Sequence, residues 1–578
     1  MCGIIGYSGP KEASAIITKG LKYLEYRGYD SVGISVLSNN HLEIRKDKGM
    51  VDDVSTRLKF ESIRGNLGIG HSRWATHGGV SLENSHPHTD CKKSVSLVHN
   101  GVIENYLEIK KDLSLNSHKF TSQTDSEVVA HLFEEHLKKS KTPIEAFAKT
   151  ISKLDGSYAI CLICKDAPKS IFLARKNSPL VIGRGKGENF CASDFSALVE
   201  YTREFIVLDD GEICELTSDS ISIFDLNLTP KTQSVMKVDW DVKAAERSGY
   251  PHFMLKEINE QPDIVISAFS SDVSIANSLL SKYNNIHIIA SGTSFHAGLL
   301  FSILLNKSGK SASVFIASEY QNQTNSDSNA LVFAISQSGE TADVLQAIRF
   351  SSAKDKICIT NVQGSSLTRL CNYSIYLNAG SETSVAATKT FLAQICIIYK
   401  ILFGDKFKGE ILTLIKKSLD LDQSIRELST KVVSNKFIFF LSRGISYPMV
   451  LEGALKLKEI SYLHAQAYPS GELKHGTLSL IEPGVCALFF APKTPDAPKL
   501  FGNIKEVKAR GGTIYSLSDD PNSKSESDFS VSILSPSNQI LYPFSFIVPL
   551  QLLAYYSSVS LGINPDRPRN LAKSVTVE

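Results

Sequence analysis

The second residue of the chain is a cysteine, and removal of the initiator Met1 would make it the N-terminal residue. Cys2 would then carry a thiol and a free α-amine, whose pKa of about 7.7–8.0 leaves part of it unprotonated near neutral pH. Such an amine can act as the general base for its own side chain, as in N-terminal nucleophiles. Because free cysteines are often buried, the first buried residue of a strand is the commoner interpretation of a cysteine there. The dipeptide alone leaves both interpretations open.

A dense run of hydroxyl side chains predicts an anion site in the second half of the chain. Ser336-Gln337-Ser338-Gly339-Glu340-Thr341 follows an apolar strand and opens a helix, and Thr293 and Ser294 end another strand. Helix N-termini favour anions, and open α/β sheets bind ligands outside the carboxyl ends of their strands. The predicted ligand is the phosphate of a small molecule, and ordinary Ser/Thr capping is the alternative. No Gly-Lys-Ser/Thr follows, which argues against a nucleoside triphosphate.

Charged residues near the C-terminus could supply acid–base and amine chemistry. Glu452, Lys456 and Glu459 are spaced by four and three residues, which places them along one helix face. Apolar neighbours predict that this helix is largely buried, where carboxylates have shifted pKa values, although a surface salt-bridge ladder is the alternative. His475 lies in a polar, Gly-bounded loop, where it could move a proton at a sugar oxygen or be structural. Lys573 lies in a terminal tail that could fray, or could fold into a site and form an imine.

The composition is that of an ordinary globular protein and excludes several classes. Its 578 residues suffice for about three to four domains. With 62 basic and 60 acidic residues, the net charge of +2 gives no basis for binding nucleic acid. The ten cysteines are scattered, which favours a reducing compartment, and Cys161-x-x-Cys164 is typical of a buried strand rather than a metal site.

The sequence predicts a soluble, cytoplasmic protein with no membrane span. The N-terminus lacks the basic and apolar regions of a signal peptide. The most apolar late stretch, 544–563, contains Pro549, Gln551 and several serines. We therefore expect a buried helix with Pro549 in its first turn.

The pattern of elements predicts an α+β part followed by an α/β part. Residues 1–225 alternate short strand-like runs with polar turns, which indicates antiparallel sheets, and 226–270 is typical of an ordered connector. Beyond it, apolar strands alternate with helices, which predicts parallel sheets. A strand, Ser-x-Gly-type turn and helix near 286 recur near 437, so we predict a duplicated α/β domain at 271–410 and 411–568, with a tail at 569–578.

Eight short segments follow one another along the chain in a specific order and spacing. They are Met1-Cys2-Gly3-Ile4, Tyr26-Arg27-Gly28-Tyr29-Asp30-Ser31, His71-Ser72-Arg73-Trp74-Ala75-Thr76-His77-Gly78, His99-Asn100-Gly101, Thr124-Asp125-Ser126-Glu127, Ser336 to Thr341, Gly471-Glu472-Leu473-Lys474-His475-Gly476 and Asn570 to Glu578. Their order and spacing resemble the isomerising glutamine–fructose-6-phosphate aminotransferases nearly end to end. The resemblance implies an N-terminal-nucleophile glutaminase with an αββα sandwich, followed by two doubly wound parallel-sheet sugar-isomerase (SIS) domains.

The resemblance also implies a role for each residue of a glutamine site. Cys2 would attack the glutamine amide, with Asn100 and the N–H of Gly101 as the oxyanion hole. Trp74 would gate an internal passage for ammonia. The residues that would hold glutamine are Arg73 at its carboxylate, Asp125 at its α-ammonium, and Thr76 and His77 along the pocket.

In the second half, the resemblance implies a ketose-to-aldose isomerase that accepts the ammonia. Lys573 would form a Schiff base at C2 of fructose 6-phosphate, Glu459 would move a proton between C1 and C2, and His475 would reach in from the other subunit of a homodimer to open the sugar ring. Glu452 and Lys456 would support them. The residues that would hold the sugar phosphate are Thr293, Ser294, Ser336, Gln337, Ser338, Thr341, Val385 and Ala572. No metal or redox cofactor is required, and the products would be glucosamine 6-phosphate and glutamate.

The chain departs from the family pattern at Ala387, Gln466 and Thr477, where Ser, Glu and Pro are usual. It also lacks the glutaminase insertion of eukaryotic relatives, which predicts a bacterial-type enzyme without strong nucleotide-sugar feedback. Two other functions are weighed against it: another N-terminal-cysteine amidotransferase, such as amidophosphoribosyltransferase, and a sugar-phosphate-binding regulator with an inactive glutaminase. The SIS-like strands and Lys573 argue against the first, and the presence of every implied catalytic residue argues against the second.

Overall fold

The computed structural model describes residues 2–25, 28–75, 77–237, 247–325, 327–435 and 437–574. The chain divides into two compact units. Of the described residues, the first unit contains those up to residue 237 together with Ser574, and the second contains those from residue 247 to Lys573. Part of the predicted connector, 238–246, lies outside the described residues.

The first unit consists of two antiparallel sheets with helices on their outer faces. The first sheet has the strand order β15-β11-β9-β10-β1-β4-β2-β3 and the second β14-β13-β12-β8-β7-β6-β5. The helices are α1 Ala13–Leu24, α2 Val51–Arg57, α3 Tyr106–Leu115, α4 Glu127–Leu137 and α5 Pro143–Ile151. The strands are β1 Gly3–Ser8, β2 Ser31–Ser38, β3 His41–Lys48, β4 Leu67–Arg73, β5 His88–Thr89, β6 Val95–Ile103, β7 Gly156–Cys164, β8 Ile171–Lys176, β9 Val181–Arg184, β10 Asn189–Ala192, β11 Glu204–Val207, β12 Glu212–Leu216, β13 Ile221–Asp225, β14 Pro230–Lys231 and β15 Met236–Lys237.

Both faces of the central strands are buried, which confirms the predicted αββα sandwich. Helix α1 packs on β1 and β4, whereas α4 and α5 pack on the second sheet. Cys161 points into the core between the sheets and Cys164 into the core under the helices, so the two thiols of this pair lie on opposite faces of β7 as predicted.

The second unit contains two parallel five-stranded sheets with the same topology. The orders are β17-β16-β18-β19-β20 and β22-β21-β23-β24-β25, so each sheet has the doubly wound order 2-1-3-4-5. The strands are β16 Asn285–Ala290, β17 Ser311–Ile316, β18 Leu331–Ile335, β19 Asp355–Thr360, β20 Tyr373–Tyr376, β21 Phe437–Ser442, β22 His464–Pro469, β23 Cys486–Ala491, β24 Thr513–Ser518 and β25 Phe529–Ser532. This topology confirms the predicted duplication.

Helices cover both sheets and join them through one hydrophobic core. They are α6 Phe253–Asn259, α7 Gln261–Ala268, α8 Ser274–Lys282, α9 Gly292–Lys307, α10 Tyr320–Gln323, α11 Ala342–Phe350, α12 Ser366–Leu370, α13 Lys389–Phe403, α14 Lys408–Leu419, α15 Asp422–Val432, α16 Tyr447–Ser461, α17 Ala497–Lys508, α18 Pro521–Ser525 and α19 Tyr542–Ser560.

Helix α19 is the predicted buried apolar helix, but its start differs from the prediction. It begins at Tyr542, so Pro543 occupies the first turn and Pro549 lies inside the helix. The apolar run marks where burial begins, not where the backbone becomes helical, which is why Pro549 was wrongly expected at the start. Within the described residues, the segment Gln539–Ser560 is the one helical stretch long and apolar enough to cross a membrane, and 89% of its apolar window is buried inside the protein. Such burial is typical of a core helix.

Candidate active sites

The thiol of Cys2 lies where strands β1 and β4 meet. Its Sγ accepts the backbone N–H of Trp74 at 3.1 Å and lies 3.4 Å from the carbonyl oxygen of the same residue. Burial raises the pKa of the Cys2 thiol, while the Trp74 N–H and the Arg73 guanidinium oppose this rise. A thiol in this environment needs a base before it can act as a thiolate at neutral pH.

Asn100 on strand β6 is held with its amide N–H groups towards Cys2. Its Nδ2 donates to the Cys2 carbonyl at 2.9 Å, and its Oδ1 lies 3.0 Å from Nε2 of His71. The same His71 nitrogen lies 3.0 Å from the His99 carbonyl, which can only accept, so Nε2 carries the proton and the amide orientation is fixed. Burial lowers the pKa of His71 to about 3, so the ring is neutral near pH 7.

Gly101 has a backbone conformation that favours glycine. Its φ is +121°, and a Cβ there would lie 2.1 Å from the carbonyl oxygen of Ser157 on β7. The neighbouring strand therefore excludes a side chain at this position. The absence of a Cβ allows the backbone next to Asn100 to adopt a positive φ.

Arg73, at the end of β4, is 3% exposed and is bound by the loop that follows it. Its guanidinium donates to the carbonyls of His77 at 2.5 Å, Gly79 at 3.2 Å and Gly78 at 3.3 Å. These three acceptors fix the plane of the guanidinium while leaving N–H groups available for a ligand.

Asp125 and the predicted gate residue Trp74 lie near this network. Asp125 is buried, and its Oδ2 accepts the N–H of Ile103 at 2.7 Å, which ties it to the end of β6. The Trp74 ring packs edge-on against Tyr29 with centroids 5.7 Å apart. Thr76 lies outside the described residues.

The predicted phosphate loop lies at the topological switch point of the first parallel sheet. Strands β16 and β18 are neighbours, with Ala290 paired to Ile335, and the loop 336–341 follows β18 directly. Ser336 Oγ accepts the N–H of Gly339 at 3.1 Å and lies 3.0 Å from Thr341 Oγ1. Ligands of doubly wound sheets bind at this position.

Gln337 and Ser338 are half-buried in the same loop. Its turn depends on Gly339, whose φ is +64° and whose Cβ, if present, would lie 2.1 Å from Ser365 Oγ. The Ser338 Oγ accepts the N–H of Glu340 at 3.2 Å. The loop is therefore a compact turn with hydroxyl groups at its start and end.

Thr293 and Ser294 lie in the first turn of α9, and not at the end of a strand as predicted. Gly292, with a φ of +54°, starts the helix two residues after β16 ends. Thr293 Oγ1 donates to Glu452 Oε1 at 3.0 Å, whereas Ser294 Oγ accepts from Gln394 Nε2 at 3.0 Å in the core. The Thr293 hydroxyl thus connects helix α9 to helix α16.

Helix α16 carries a buried charge network, so the surface-ladder alternative is wrong. Glu452 is fully buried and lies 2.7 Å from His296 Nδ1 and 3.4 Å from Lys456 Nζ, while Lys456 contacts Glu459 at 2.5 Å. Burial disfavours the charged form of Lys456, but the carboxylates of Glu452 and Glu459 raise its pKa to about 12. The Glu459 side chain is 21% exposed and is the accessible end of the network.

Lys573, from the C-terminal segment, lies in a buried site of the same unit. Its Nζ is ion-paired with Glu382 and donates to the Ser384 carbonyl at 2.8 Å, and its side chain is 5% exposed. Burial would raise the pKa of Glu382, but Lys573 and the N–H groups of nearby residues lower it to about 2. The lysine amine is therefore held in place by a carboxylate and a carbonyl.

A second buried carboxyl group lies beside this pair. Glu257 Oε1 accepts the N–H of Thr383 at 2.5 Å and that of Ser384 at 3.2 Å. Burial and the charge of Glu382 raise the pKa of Glu257 to about 8, so its acid form predominates near neutral pH. Val385, predicted to bind sugar phosphate, donates its N–H to the Asp566 carbonyl at 3.3 Å.

The remaining predicted residues are more accessible. His475 ends the short 3-10 turn Leu473–His475 and is exposed, and Ala572 is half-buried. Of the positions that depart from the family pattern, Gln466 is exposed on β22, and Ala387 and Thr477 are half-buried.

Sequence reasoning missed His71, Glu257 and Glu382. A signal existed for His71, because it lies two residues before Arg73 on one strand and therefore points to the same side. Glu382 stands in a polar Ser-Glu-Thr-Ser run after β20, but only the fold brings it to Lys573, 191 residues away.

Comparison with known proteins agrees with this architecture. Residues 71–200 match the glutamine amidotransferase domain family, and residues 279–402 and 431–561 match the SIS domain family. The isomerizing glutamine–fructose-6-phosphate aminotransferase of Pyrococcus horikoshii is 45% identical, and that of Thermococcus kodakarensis 43%, each over 100% of this chain and 100% of the relative. The solved C-terminal domain of glucosamine-fructose-6-phosphate aminotransferase from Francisella tularensis is 35% identical with a TM-score of 0.52, and the match covers 56% of this chain and 100% of that chain.

Proposed function

This chain belongs to the family of isomerizing glutamine–fructose-6-phosphate aminotransferases, and we propose that it transfers the glutamine amide nitrogen to fructose 6-phosphate, giving glucosamine 6-phosphate and glutamate. This is the first step of hexosamine synthesis. One observation carries the proposal: a single chain holds both a thiol beside oriented amide donors, at Cys2, and a buried amine beside a sugar-isomerase sheet, at Lys573. Each half of the reaction needs one of these groups.

In the first half-reaction, Cys2 attacks the glutamine amide. After removal of Met1, the α-amine takes the thiol proton and passes it to the leaving ammonia. Water then hydrolyses the glutamyl thioester, which releases glutamate and restores the thiol. Asn100 Nδ2 and the N–H of Gly101 stabilise the tetrahedral oxygen. This role is supported by the contact of His71 with Asn100 Oδ1, since it leaves only the donor end of the amide facing Cys2.

Glutamine is held at its α-carbon substituents by opposite charges. Arg73 binds the α-carboxylate, since its guanidinium plane is already fixed by three loop carbonyls. Asp125 binds the α-ammonium, and Thr76 and His77 form the wall of the pocket. Pre-oriented groups lower the entropic cost of binding, which supports these assignments.

Trp74 is proposed as the gate for the released ammonia. Ammonia that escapes into water near pH 7 becomes ammonium, which is not a nucleophile. The backbone N–H of Trp74 donates to the Cys2 thiol, so the residue that carries the indole ring lies beside the atom at which ammonia is released.

The sugar phosphate binds at the switch point of the first SIS sheet. Ser336, Gln337, Ser338 and Thr341 surround the phosphate, with Thr293 and Ser294 at the neighbouring helix start. Val385 and Ala572 line the sugar beside them. The short hydroxyl contacts within the loop support this proposal, because they pre-orient the turn before a ligand arrives.

Lys573 forms an imine with C2 of the open-chain ketose, and the carbonyl oxygen leaves as water. The amine must first lose a proton, and Glu382, with its pKa of about 2, stabilises the ammonium form that precedes this step. Ammonia then displaces Lys573 from C2. The neutral acid form of Glu257 nearby limits the negative charge that this buried region must hold.

Isomerisation completes the reaction. Glu459 removes a proton from C1 and returns it at C2, which converts the ketose imine into the amino-aldose. Its contact with Lys456, itself held by Glu452, supports this role because that ammonium keeps Glu459 oriented.

His475 is proposed to open the sugar ring from the other subunit of a homodimer. Its exposure in the single chain supports this placement, because a residue that acts on a partner's substrate must be accessible at its own surface. A cytoplasmic location is part of the same proposal.

The function is tested by assaying hexosamine phosphate formed from glutamine and fructose 6-phosphate. Wild type should form product. Cys2→Ala should lose glutamine-dependent synthesis and retain synthesis from ammonium salts, whereas Lys573→Ala should lose both. A protein that binds fructose 6-phosphate but forms no product from either nitrogen source would instead be a regulator.

Borohydride trapping tests the imine directly. Reduction in the presence of fructose 6-phosphate should attach the sugar to Lys573, as mapped by peptide mass spectrometry. Lys456, another buried lysine of this unit, is the internal control. Labelling at Lys456 instead of Lys573 would overturn the imine assignment.

A further inference from the structure

Four side chains with metal-binding atoms converge in the first unit, in a cluster that the proposed reaction does not use. Cys91, His118, His131 and Glu134 each offer one ligand atom, and these atoms all lie within 4.8 Å of one another. The two histidines and Glu134 are buried, and Cys91 is exposed at the edge.

Four of the six distances between these atoms are close to those of a tetrahedral site. His118 Nδ1 lies 3.1 Å from His131 Nδ1 and 3.4 Å from Glu134 Oε2. Cys91 Sγ lies 3.8 Å and 3.6 Å from the Nδ1 atoms of His118 and His131. Ligands bound to tetrahedral zinc at about 2.0–2.3 Å are separated by roughly 3.3–3.6 Å. These four separations lie within about 0.2 Å of that range, and all four ligand atoms lie within 4.8 Å of one another, so a Zn²⁺ ion fits among them with small side-chain adjustments.

An outer carboxylate fixes the orientation of His118. His118 Nε2 lies 2.8 Å from Glu135 Oε1, and because a carboxylate accepts, the proton of His118 lies on Nε2. The His118 Nδ1 therefore presents a lone pair to the other ligand atoms. His131 Nδ1, 3.1 Å away, donates to this lone pair when it carries a proton and becomes a second ligand when the proton moves to Nε2. A carboxylate behind a ligating histidine is a usual outer-shell arrangement at zinc sites.

Glu134 supplies a second, independent observation. Glu134 is 6% exposed. Its Oε2, the oxygen that faces His118, is buried and has no hydrogen-bond partner in the described part of the chain. A buried carboxylate oxygen without a donor is costly, and a metal ion would satisfy it.

We propose that Cys91, His118, His131 and Glu134 bind one structural Zn²⁺ ion. Cys91 loses its proton to solvent on binding, so a thiolate and a carboxylate balance the two charges of the ion. All four positions are filled by protein, which is typical of a structural site rather than a catalytic one. The donor set of one sulfur, two imidazoles and one carboxylate favours Zn²⁺ over Mg²⁺ or Ca²⁺.

The ion would brace the segment that leads to Asp125. Cys91 precedes β6, His118 follows α3, and His131 and Glu134 lie on α4, so the site joins three segments. Glu127, behind His131, also accepts the N–H of Ser122 at 2.7 Å. The loop between 121 and 127 is therefore anchored at the same helix turn as the metal site.

No metal site was expected from the sequence, because the one cysteine pair with ligand-like spacing, Cys161 and Cys164, is typical of a buried strand. The ligands of the proposed site come from three separate segments. The one local signal is His131-x-x-Glu134, since a spacing of three places both side chains on one helix face.

Metal content of the full-length protein tests the proposal. Wild type should contain about one zinc ion per chain by mass spectrometry, or take up one Zn²⁺ per chain after chelation and dialysis. Replacement by Co²⁺ should give the absorption of a tetrahedral site with a thiolate charge-transfer band. Failure to bind either ion stoichiometrically would overturn the proposal.

Two variants and a matched control locate the site. His131→Gln should lose the ion, whereas His136→Gln should keep it, because His136 lies on the same helix but contacts Thr150 Oγ1 at 3.0 Å. Cys91→Ser, at an exposed position that leaves the core intact, should abolish the charge-transfer band. Wild-type affinity and spectrum in Cys91→Ser would refute the assignment even if His131→Gln fails to fold.

An outer-shell variant adds a graded result. Glu135→Gln should weaken zinc binding about 10- to 100-fold, because it weakens the support of His118. An unchanged dissociation constant would contradict the proposed proton arrangement.

Discussion

Replacing Asn100 by alanine removes one of the two proposed oxyanion donors and leaves the Gly101 N–H in place. In the free chain, Asn100 Nδ2 is 2.9 Å from the Cys2 carbonyl, and His71 Nε2 retains the His99 carbonyl as an acceptor at 3.0 Å after the change. The substitution therefore orphans no donor on the histidine. Loss of one oxyanion donor typically lowers kcat by about 10²–10³, or about 2.7–4 kcal/mol in the barrier.

The assay compares two nitrogen sources in the same variant. Glutamate release from glutamine should show the loss in kcat with little change in KM, because Asn100 does not contact the α-carboxylate or α-ammonium in the proposed complex. Synthesis from ammonium salts should stay at the wild-type rate. Asn105→Ala is the matched control, since its side chain bonds the Lys153 carbonyl at 2.9 Å instead. A fall of less than tenfold in glutaminase kcat, or an equal fall with ammonia, would refute the assignment.

Three further predictions concern stability and sugar binding. Glu452→Gln should lower the free energy of unfolding of the second unit by about 3–5 kcal/mol in denaturant titrations, because it breaks a fully buried ion pair. A change below about 1 kcal/mol would contradict the buried network. His71 has a pKa of about 3 in the folded protein and about 6.5 in the unfolded chain, so the unfolded chain binds more protons between these pH values. The free energy of unfolding should therefore rise with pH in this range, by up to about 1.4 kcal/mol per pH unit. His71→Asn should flatten this slope in urea midpoints measured between about pH 4 and 6, and an unchanged slope would refute the prediction. Gly339→Ala should raise the KM for fructose 6-phosphate roughly tenfold, because the added Cβ clashes with Ser365. Gly380→Ala is the control and should leave KM unchanged, since Gly380 has a similar φ of +65° but open space around it. Equal effects of the two variants would assign the loss to backbone strain alone.

The fold was predictable where the hydrophobic pattern is compatible with only one type of secondary structure and burial. Continuous apolar strands such as 331–335 occur in sheets buried on both faces, and the structure has them in parallel sheets. The recurrence near 286 and 437 predicted two similar domains, and both sheets have the same strand order. Element starts were less predictable, as Thr293 and Pro549 show, because burial and backbone conformation do not change at the same residue.

The candidate sites were predictable only where their residues are local in sequence. The turn 336–341 contains its own hydroxyl groups, so its chemistry is readable from a short segment. The orientation of Asn100 by His71 depends on how strands β4 and β6 face each other, which no local pattern encodes. The contact of Lys573 with Glu382 spans 191 residues, so resemblance to known enzymes pointed to the lysine while its partner stayed hidden.

Asp566 has a consequence for how Lys573 is used in turnover. Its carboxylate accepts the N–H groups of Phe253 at 2.8 Å and Met254 at 2.9 Å, and its carbonyl accepts the N–H of Val385. The lysine is thus tethered seven residues beyond a fixed anchor, a reach of at most about 25 Å. Because the tether is short, the effective concentration of the lysine amine near a bound open-chain sugar is roughly in the millimolar range or above. This value does not depend on the concentration of the enzyme. A small primary amine added to rescue Lys573→Ala must therefore match that concentration, and the dose at which rescue saturates measures how much the anchor contributes.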